Sequence, residues 1–379
     1  MKFSCTQENL QQGLQVVSHG ATKNVNLPIL NNVLLKIEDK VLKLTTTNLE
    51  IAVSATVRGK AEQNGEYTIP SKLFADYVTL LPGGRVDMEQ NEDKLKVETP
   101  AAKTTIKGIP ASEFPLIPKL EARDSYRVPV ADFRRAMAKV IFSVSPNEAR
   151  PELSGVLLRF SPAGPSGTLT LAATDSYRLS ETKIPLHEGA GLPERSVIIP
   201  ARTMAELIRI LGIFKEFPDA KATLAISVGD NQALFTYETV ELISRTIEGK
   251  YPDYQAVIPE NTKTTAVIKK DELAKAVKTS ALFSRSGIFD VRLQVDAAGG
   301  RLLVRSTDSQ TGENESALLA EIKGPDNTVT LNHRFLLEGL AAVEGEEVRL
   351  KLVDGMTPCV LEPSAAAAPF LYIVMPIKQ

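Results

Sequence analysis

The sequence repeats one pattern three times, with a period of about 130 residues, which is long enough for a whole domain. Each copy has a short strand that ends in a polar turn, and the three turns read Thr47-Asn48-Leu49-Glu50, Thr174-Asp175-Ser176-Tyr177 and Thr307-Asp308-Ser309-Gln310. Each copy then has a strand that passes into a helix at Pro70, Pro200 or Asn332. Because these markers recur in the same order and at matching spacing, they indicate three domains of one kind.

Each copy is predicted to contain two amphipathic helices and about eight strands. In the second helix of the first copy, Leu73, Tyr77 and Leu80 are spaced to form its buried stripe. The strands follow one another in runs without βαβ alternation, which favours antiparallel sheets. We therefore predict an α+β fold of three tandem domains, each with two helices packed on antiparallel sheets. Proline-rich segments place the domains at residues 1–122, 123–258 and 259–379.

The composition is that of an ordinary globular protein with little net charge. The chain has 379 residues, a formal net charge of −2 and a pI near 6.1, and this charge argues against tight direct binding of DNA phosphates. Cys5 and Cys359 lie at opposite ends, so no disulfide framework is expected and a reducing compartment fits. Residues 1–8 carry no apolar stretch, and no apolar run is long enough to span a membrane. These features predict a cytoplasmic protein with no signal peptide and no membrane contact.

No pattern in the sequence points to catalysis. His19, His187 and His333 fall in three different copies, without the spacing of a metal site or a proton relay. Phosphate-binding loops and the common hydrolase and metal motifs are missing. Asp175 and Asp308 could suggest acid chemistry, but Asn48 fills the same position in the first copy, so an Asx turn explains all three better. We predict no catalytic residue, no metal and no cofactor.

Positive charges recur at one position of the repeat. Lys72, Arg202 and Arg334 each lie two residues beyond the strand that precedes the second helix. Lys23 and Arg150 lie in loops after first helices. Any one of these could simply belong to a solvated helix face, but together they form a basic stripe suited to loose contact with phosphates if the helices share one surface.

Apolar residues of the second copy and of the chain end form a further signal. Leu153, Tyr177 and Leu179 occur with Pro252 and Val257, and the sequence ends in the apolar segment Tyr372–Ile377 before Lys378. The pattern alone fits a last core strand as well as the wall of a pocket.

These motifs resemble the bacterial DNA polymerase III beta subunit family, the sliding clamps, over essentially the whole length. The resemblance rests on Met1-Lys2-Phe3, Leu27-Pro28-Ile29-Leu30, Phe114-Pro115, Ala173–Leu179, Tyr251-Pro252-Asp253-Tyr254 and Val374-Met375-Pro376. It implies a non-catalytic processivity factor of DNA replication, in which a head-to-tail homodimer closes six domains into a ring around duplex DNA without reading its sequence. The implied partners are the DNA polymerase III alpha subunit, the clamp loader delta subunit and other proteins with a clamp-binding motif.

The resemblance also implies three sets of site residues. The partner-peptide cleft would comprise Leu153, Thr174, Ser176, Tyr177, Arg178, Leu179, Pro252, Val257, Phe335, Ile373, Met375, Pro376 and Ile377. The DNA-facing set would be Lys23, Lys72, Arg150, Arg202 and Arg334. The dimer interface would bring Thr104 and Ile106 to Leu282 and Phe283. Relatives often carry an aromatic residue where Thr104 stands and an arginine near Gln255-Ala256.

Two other classes of function remain open at this stage. One is a DNA-modifying enzyme with an unrecognised site, which turnover by the purified protein would reveal. The other is a protein-interaction scaffold on the clamp fold that does not bind DNA, which would be retained equally on linear and circular DNA. The basic stripe favours the clamp over both.

Overall fold

The structure is a computed structural model. It describes residues 1–21, 26–117, 120, 125–147, 149–162, 167–187, 191–214, 222–365 and 369–378. Within these ranges it has six α-helices and 26 β-strands. The predicted α+β class is confirmed.

The three copies show the same order of elements. The first copy consists of β1 Lys2–Thr6, α1 Gln7–Val17, β2 Asn32–Glu38, β3 Val41–Thr47, β4 Ile51–Val57, β5 Gly59–Gln63, β6 Gly65–Pro70, α2 Ser71–Leu80, β7 Arg85–Asn91, β8 Lys94–Glu98 and β9 Lys103–Lys107. The second consists of β10 Ser125–Pro129, α3 Val130–Val140, β11 Gly155–Ser161, β12 Thr168–Thr174, β13 Arg178–Pro185, β14 Arg195–Pro200, α4 Ala201–Ile213, β15 Thr223–Val228, β16 Gln232–Tyr237 and β17 Val240–Arg245.

The third copy repeats the scheme, with one additional short strand. It consists of β18 Thr264–Lys269, α5 Lys270–Ala281, β19 Asp290–Asp296, β20 Arg301–Asp308, β21 Gly312–Leu319, β22 Glu321–Lys323, β23 Asn327–Asn332, α6 His333–Ala342, β24 Glu347–Leu352, β25 Cys359–Pro363 and β26 Phe370–Val374. In every copy the first helix follows the first strand directly, and the second helix follows a strand ending at Pro70, Pro200 or Asn332.

The chain divides into two compact units, and each contains two antiparallel sheets. The first unit comprises residues 1–131, 186–192 and 202–246, with sheets in the order β5-β1-β7-β8-β9 and β10-β15-β16-β17-β4-β3-β2-β6. The second comprises residues 132–185, 193–201 and 247–379, with sheets in the order β14-β11-β12-β13-β26-β25-β24-β18-β22 and β21-β20-β19-β23. The second copy therefore contributes strands to both units.

Strand pairing joins neighbouring copies. In the first unit β17 pairs with β4, so that Val240 stands opposite Ala55. In the second unit β26 pairs with β13, so that Val374 stands opposite Arg178. The repeat therefore forms continuous sheets across its boundaries, which the domain limits predicted from proline-rich segments do not reveal.

Local sequence explains how the helices begin and what they bury. Thr6 caps α1 by accepting the N–H of Asn9, and Asn332 caps α6 by accepting the N–H of Arg334 at 2.9 Å. α5 and α6 pack their apolar faces on the alternating inward side chains of the third-copy sheets, in a core that includes Leu273, Leu336 and Tyr372.

The predicted buried stripe of α2 is wrong. Leu73 is 56% exposed and Leu80 is 84% exposed, while Phe74 and Val78 are fully buried. Both stripes of the helix are apolar at helical spacing, and packing against α1, β2 and β6 selects the one that contains Phe74. The helix therefore presents an apolar face outward. No helix of the described residues is long and apolar enough to cross a membrane.

Candidate functional site

A tight polar turn follows β12 and exposes Tyr177. The carboxylate of Asp175 accepts the N–H groups of Tyr177 and Arg178, both at 2.9 Å. The Thr174 hydroxyl donates to the carbonyl of Arg178 at 2.6 Å and accepts the N–H of Ser176, whose φ is +77°. These bonds hold a left-handed residue in place, so that the Tyr177 side chain is 66% exposed at the surface.

The other two copies contain the same turn. Asn48 accepts the N–H groups of Glu50 and Ile51 at 3.0 and 2.8 Å. Asp308 accepts those of Gln310 and Thr311 at 2.8 and 3.1 Å, and these backbone bonds lower the pKa of its carboxyl group. The predicted Asx turns are therefore present, and the side chains of Asn48, Asp175 and Asp308 stabilise them by accepting backbone N–H groups.

Arg178 connects this turn to the third copy. Its Nε donates to Asp175 at 3.0 Å, one terminal nitrogen contacts Glu338 of α6, and the other donates to the carbonyl of Phe142 at 2.6 Å. The guanidinium also lies 4.5 Å from the centre of the Phe335 ring. Arg178 is only 9% exposed, so its donors are committed inside the protein.

The end of the chain runs from this turn to the third-copy sheet. We call Met375–Lys378 the tail. The N–H of Met375 donates to the carbonyl of Tyr177, and the N–H of Ile377 donates to the carbonyl of Thr330, both at 2.8 Å. These bonds fix the apolar residues before Lys378, as expected for a chain end that is tied down.

The structure describes all thirteen residues predicted for the cleft and places them at different depths. Fully buried are Leu153, Leu179 and Ile373, and nearly buried are Thr174 and Arg178. Partly exposed are Pro252, Phe335, Met375, Pro376 and Ile377, and exposed are Ser176, Tyr177 and Val257. We call the buried Leu153, Leu179 and Ile373 the floor of the predicted cleft, and the accessible Tyr177, Val257 and Met375–Ile377 its rim.

Contacts between elements hold the buried residues of this region together. Leu179 stands opposite Ile373 in the β13–β26 pair, and both pack with Tyr251 and Tyr254. The Tyr254 hydroxyl donates to Glu181 at 2.6 Å, and burial raises the pKa of that tyrosine. Sequence analysis did not identify this Tyr254–Glu181 bond, because the two residues are far apart in the chain.

Three of the five residues predicted to face DNA lie at equivalent positions of the repeat. Lys72, Arg202 and Arg334 are each the second residue of α2, α4 or α6, and all three are exposed. The guanidinium of Arg334 lies 3.5 Å from the centre of the Phe289 ring. Arg150 instead reaches the polar turn, where it donates to the Ser176 hydroxyl at 3.2 Å. Lys23 lies outside the described residues.

The residues predicted for the dimer interface differ in exposure. Ile106 is 6% exposed because it points into its own domain, and Thr104 on the same face is half-buried. Leu282 is 74% exposed and Phe283 is half-buried. Among the described strands, β9 and β21 each have one neighbour and end their sheets. The exposed Leu73 and Leu80 were missed as surface residues, because sequence analysis assigned them to the core.

Metal binding has no support in the ranges that the structure describes. No three histidine, cysteine, aspartate or glutamate side chains in those ranges come together as ligands. Cys5 and Cys359 are buried free thiols, and burial raises the pKa of Cys5 to about 12. His333 has its pKa lowered by burial and then by the neighbouring charge of Arg334.

Comparison with known sequences gives one consistent match. Sequence models of the DNA polymerase III beta subunit match residues 1–118 with the N-terminal domain, 127–253 with the central domain and 255–378 with the C-terminal domain. The beta sliding clamp of Haemophilus influenzae is 30% identical over 380 residues, covering 100% of this chain and 100% of that protein.

Solved structures agree with the sequence match. The DNA polymerase III subunit beta of Pseudomonas aeruginosa is 26% identical, with a TM-score of 0.92 and coverage of 100% of both chains. A sliding clamp from Pseudomonas aeruginosa bound to griselimycin is also 26% identical, with a TM-score of 0.91 and the same coverage.

Proposed function

The chain belongs to the DNA polymerase III beta subunit family, the bacterial beta sliding clamps, and from this membership we propose how its residues serve that role. Its function is that of a DNA sliding clamp, a processivity factor that forms dimers and binds DNA and polymerase. We infer that it has no catalytic activity of its own and works in the cytoplasm, where a bacterial chromosome is replicated. Domains at residues 1–122, 123–258 and 259–379 remain our prediction.

The two strand junctions within the chain support a specific mode of dimerisation. At each junction the last strand of one copy pairs with the strand that follows the polar turn of the preceding copy, as β17 does with β4 and β26 with β13. The remaining last strand of a copy is β9, and the remaining strand that follows a polar turn is β21. Both end their sheets. We therefore propose that β9 of one chain pairs with β21 of a second, which joins a five-stranded and a four-stranded sheet into one of nine strands.

The junctions also suggest the register of that pairing. Ile109 and Ile247 are equivalent in the repeat. The backbone N–H of each donates to the carbonyl of the residue two positions before Pro70 or Pro200, namely Thr68 at 3.1 Å and Ile198 at 2.9 Å. Lys107 is then equivalent to Arg245, whose backbone N–H donates to the carbonyl of Glu50 in the first polar turn at 3.0 Å. The N–H of Lys107 would accordingly donate to the carbonyl of Gln310, in the turn before β21 of the second chain.

The helices extend the same argument to the exposed leucines. Within the first unit, Arg209 of α4 donates to the carbonyls of Gln15 and Val16 at the end of α1, at 2.9 and 2.7 Å. By equivalence, α2 of one chain would pack on the end of α5 of the other. Leu73 and Leu80 would then cover Leu282, which is 74% exposed in the single chain.

We propose that the cleft captures short linear motifs from partner proteins. The observation that carries this is the accessible apolar rim of Tyr177, Val257 and Met375–Ile377, in which the N–H of Met375 donates to the carbonyl of Tyr177, together with the buried apolar floor. Apolar side chains of a motif would bury here, and a methionine at the rim adapts to different shapes. The DNA polymerase III alpha subunit and the clamp loader delta subunit are the first candidates, and griselimycin would compete with them.

A titration tests the cleft. A labelled peptide with a glutamine before an apolar pair should lose at least about tenfold in affinity when Tyr177 is changed to Ala or Met375–Gln379 is deleted. Leu116→Ala, at a leucine that is 98% exposed in the first unit, is the control and should bind normally. Sedimentation should still report a dimer for the truncated protein. Equal affinities would move the partner site elsewhere.

The competing proposal of a scaffold that does not bind DNA has its own test. A ring held by topology stays on circular DNA and slides off linear DNA with free ends. Equal retention of the loaded protein on both forms would favour the scaffold.

A further inference from the structure

An open polar groove of about 930 Å³ lies on the face of the β21-β20-β19-β23 sheet that points away from the helices. The tail forms part of its wall, because Ile377 and Lys378 both line it. Ile377 is also a predicted cleft residue, and its N–H donates to Thr330 of β23 at 2.8 Å. The groove is therefore continuous with the proposed partner cleft.

A row of side chains crosses the groove, and its charges are not balanced. Strand register places Thr330 opposite Arg292, Arg292 opposite Arg305, and Arg305 opposite Glu315. Two arginines directly opposite each other repel and destabilise a sheet. Arg305 is compensated by an ion pair with Glu315 and a hydrogen bond to Gln294 at 3.1 Å.

Arg292 has no such compensation. Its neighbours on the same face of β19 are Asp290 and Gln294, and both are engaged by other arginines. Asp290 pairs with Arg285 at 2.5 Å, and although burial opposes the shift, this pair holds the pKa of Asp290 below its usual range. In the described part of the chain, the Arg292 side chain makes no hydrogen bond or ion pair, and it is exposed.

Lys378 is the second uncompensated cation of the groove. It is exposed, and the described residues give its side chain no ion pair. It follows Ile377, whose backbone bond to Thr330 brings the tail to the strand beside Arg292. Glu313 lines the groove on β21, two strands from β19 and farther from the tail.

The distance from cleft to groove is short. The tail is anchored to Tyr177 through Met375 and to Thr330 through Ile377, and two extended residues span about 7 Å. A partner segment that lies in the cleft and follows the tail would reach Arg292 within about two to four residues.

We propose that Arg292 and Lys378 form a carboxylate-binding subsite for an acidic residue of the partner segment, two to four residues from its apolar anchor. The inference rests on the proposed function of the cleft. A guanidinium can hold a carboxylate through two parallel hydrogen bonds, and an ammonium beside it adds charge. The bound acid would also relieve the repulsion between Arg292 and Arg305.

The experiment compares pairs of labelled peptides on the full-length dimer by fluorescence anisotropy. The two peptides of a pair share the same motif, a glutamine followed by an apolar pair that anchors the peptide in the cleft. They differ at one position two to four residues from the apolar pair, where one peptide has Glu and the other has Gln. One set of pairs places this position before the motif and another set places it after the motif. On one flank the acidic peptide should bind about threefold to tenfold more tightly at low salt, and this advantage should shrink as salt is added. Arg292→Gln combined with Lys378→Gln should abolish the advantage and leave the affinity of the neutral peptide unchanged.

Controls separate this subsite from the cleft itself. Arg301→Gln removes an outward arginine from the same sheet that pairs with Asp296 at 3.0 Å, and it should preserve the acidic advantage. Equal affinity of the wild type for both peptides on both flanks would overturn the subsite alone. An advantage that survives in the Arg292 and Lys378 variant would also overturn it. Failure of the wild type to bind either peptide would contradict the proposed cleft and the subsite with it.

Discussion

At the scale of single residues, Arg178 acts as an internal brace beneath the proposed cleft. The guanidinium binds an acid of its own turn, an acid of α6 and a carbonyl after α3, and it stacks on Phe335. With its donors engaged, it positions the walls of the cleft and has little capacity to bind a ligand directly. The resemblance alone would have suggested a direct ligand contact for this side chain.

Arg178→Ala should therefore lower the free energy of unfolding by about 3–5 kcal/mol, because it leaves Asp175 and Glu338 without their cation. Arg178→Lys keeps the charge but cannot form the planar set of bonds, so an intermediate loss is expected. Urea unfolding measures both variants, and Arg150→Ala, at an exposed arginine of the same region, is the control. An unfolding free energy unchanged in Arg178→Ala would contradict the brace.

At the scale of elements, the polar turns were predictable and the face of α2 was not. An Asx turn is a local structure, so the residues that cap it lie within three positions of each other and the sequence contains the whole signal. The orientation of α2 depends on contacts with α1, β2 and β6, and its two faces offer similar apolar stripes. The sequence alone does not show which of the two stripes faces the core.

The pairing of copies lay beyond sequence analysis for the same reason. β17 and β4 are separated by almost two hundred residues, and the sequence of neither strand indicates which strand it pairs with. The thirteen cleft residues came from family resemblance, whereas the pattern alone had left their role open. Arg292 escaped notice because the sequence does not show that Asp290 and Gln294 are already engaged by other side chains.

The packing of α6 on β26 gives a prediction for this scale. A Cβ added to Gly339 would come within 2.1 Å of the Tyr372 ring, so the helix can approach the strand only with glycine there. Gly339→Ala should destabilise the protein by about 1–3 kcal/mol, although alanine favours helices in general. Thermal unfolding measures this, and a smaller side chain at Tyr372 should recover part of the loss. A stabilised Gly339→Ala protein would show that the helix does not pack as closely as described.

At the scale of the whole molecule, the repeat suggests how two chains would form a closed assembly. Two internal junctions use one type of strand pairing, and the equivalent strands that end their sheets in the described structure, β9 and β21, belong to the first and third copies. A head-to-tail contact that repeats the internal junction gives a closed assembly when the rotation returns to its start, and two chains of three domains would then form one ring.

The dimer should be sensitive to charges on its exposed leucines. Leu282→Glu should raise the dimer dissociation constant at least about a hundredfold, or about 3 kcal/mol, because a carboxylate would be buried against α2 of the second chain. Leu282 is 74% exposed in the single chain, so the monomer fold should be spared, whereas Ile106→Glu would also disrupt its own domain. Sedimentation equilibrium measures the constant, with Leu116→Glu as a control. A fully dimeric Leu282→Glu protein would exclude this surface from the interface.

Contact with DNA should be weak and independent of sequence, because a clamp that must slide cannot hold phosphates tightly. Lys72, Arg202 and Arg334 are exposed at equivalent places at the starts of three helices, and changing all three to Gln should reduce the salt dependence of DNA association by about 0.9 slope unit for each phosphate that is no longer neutralised. No base preference should appear, since phosphates carry no sequence information. Titrations of duplex DNA at several salt concentrations measure the slope. A control variant with Lys323→Gln and Arg301→Gln, two exposed cations away from the helix starts, should keep the wild-type slope. If the triple variant keeps it as well, those three helices do not face the DNA.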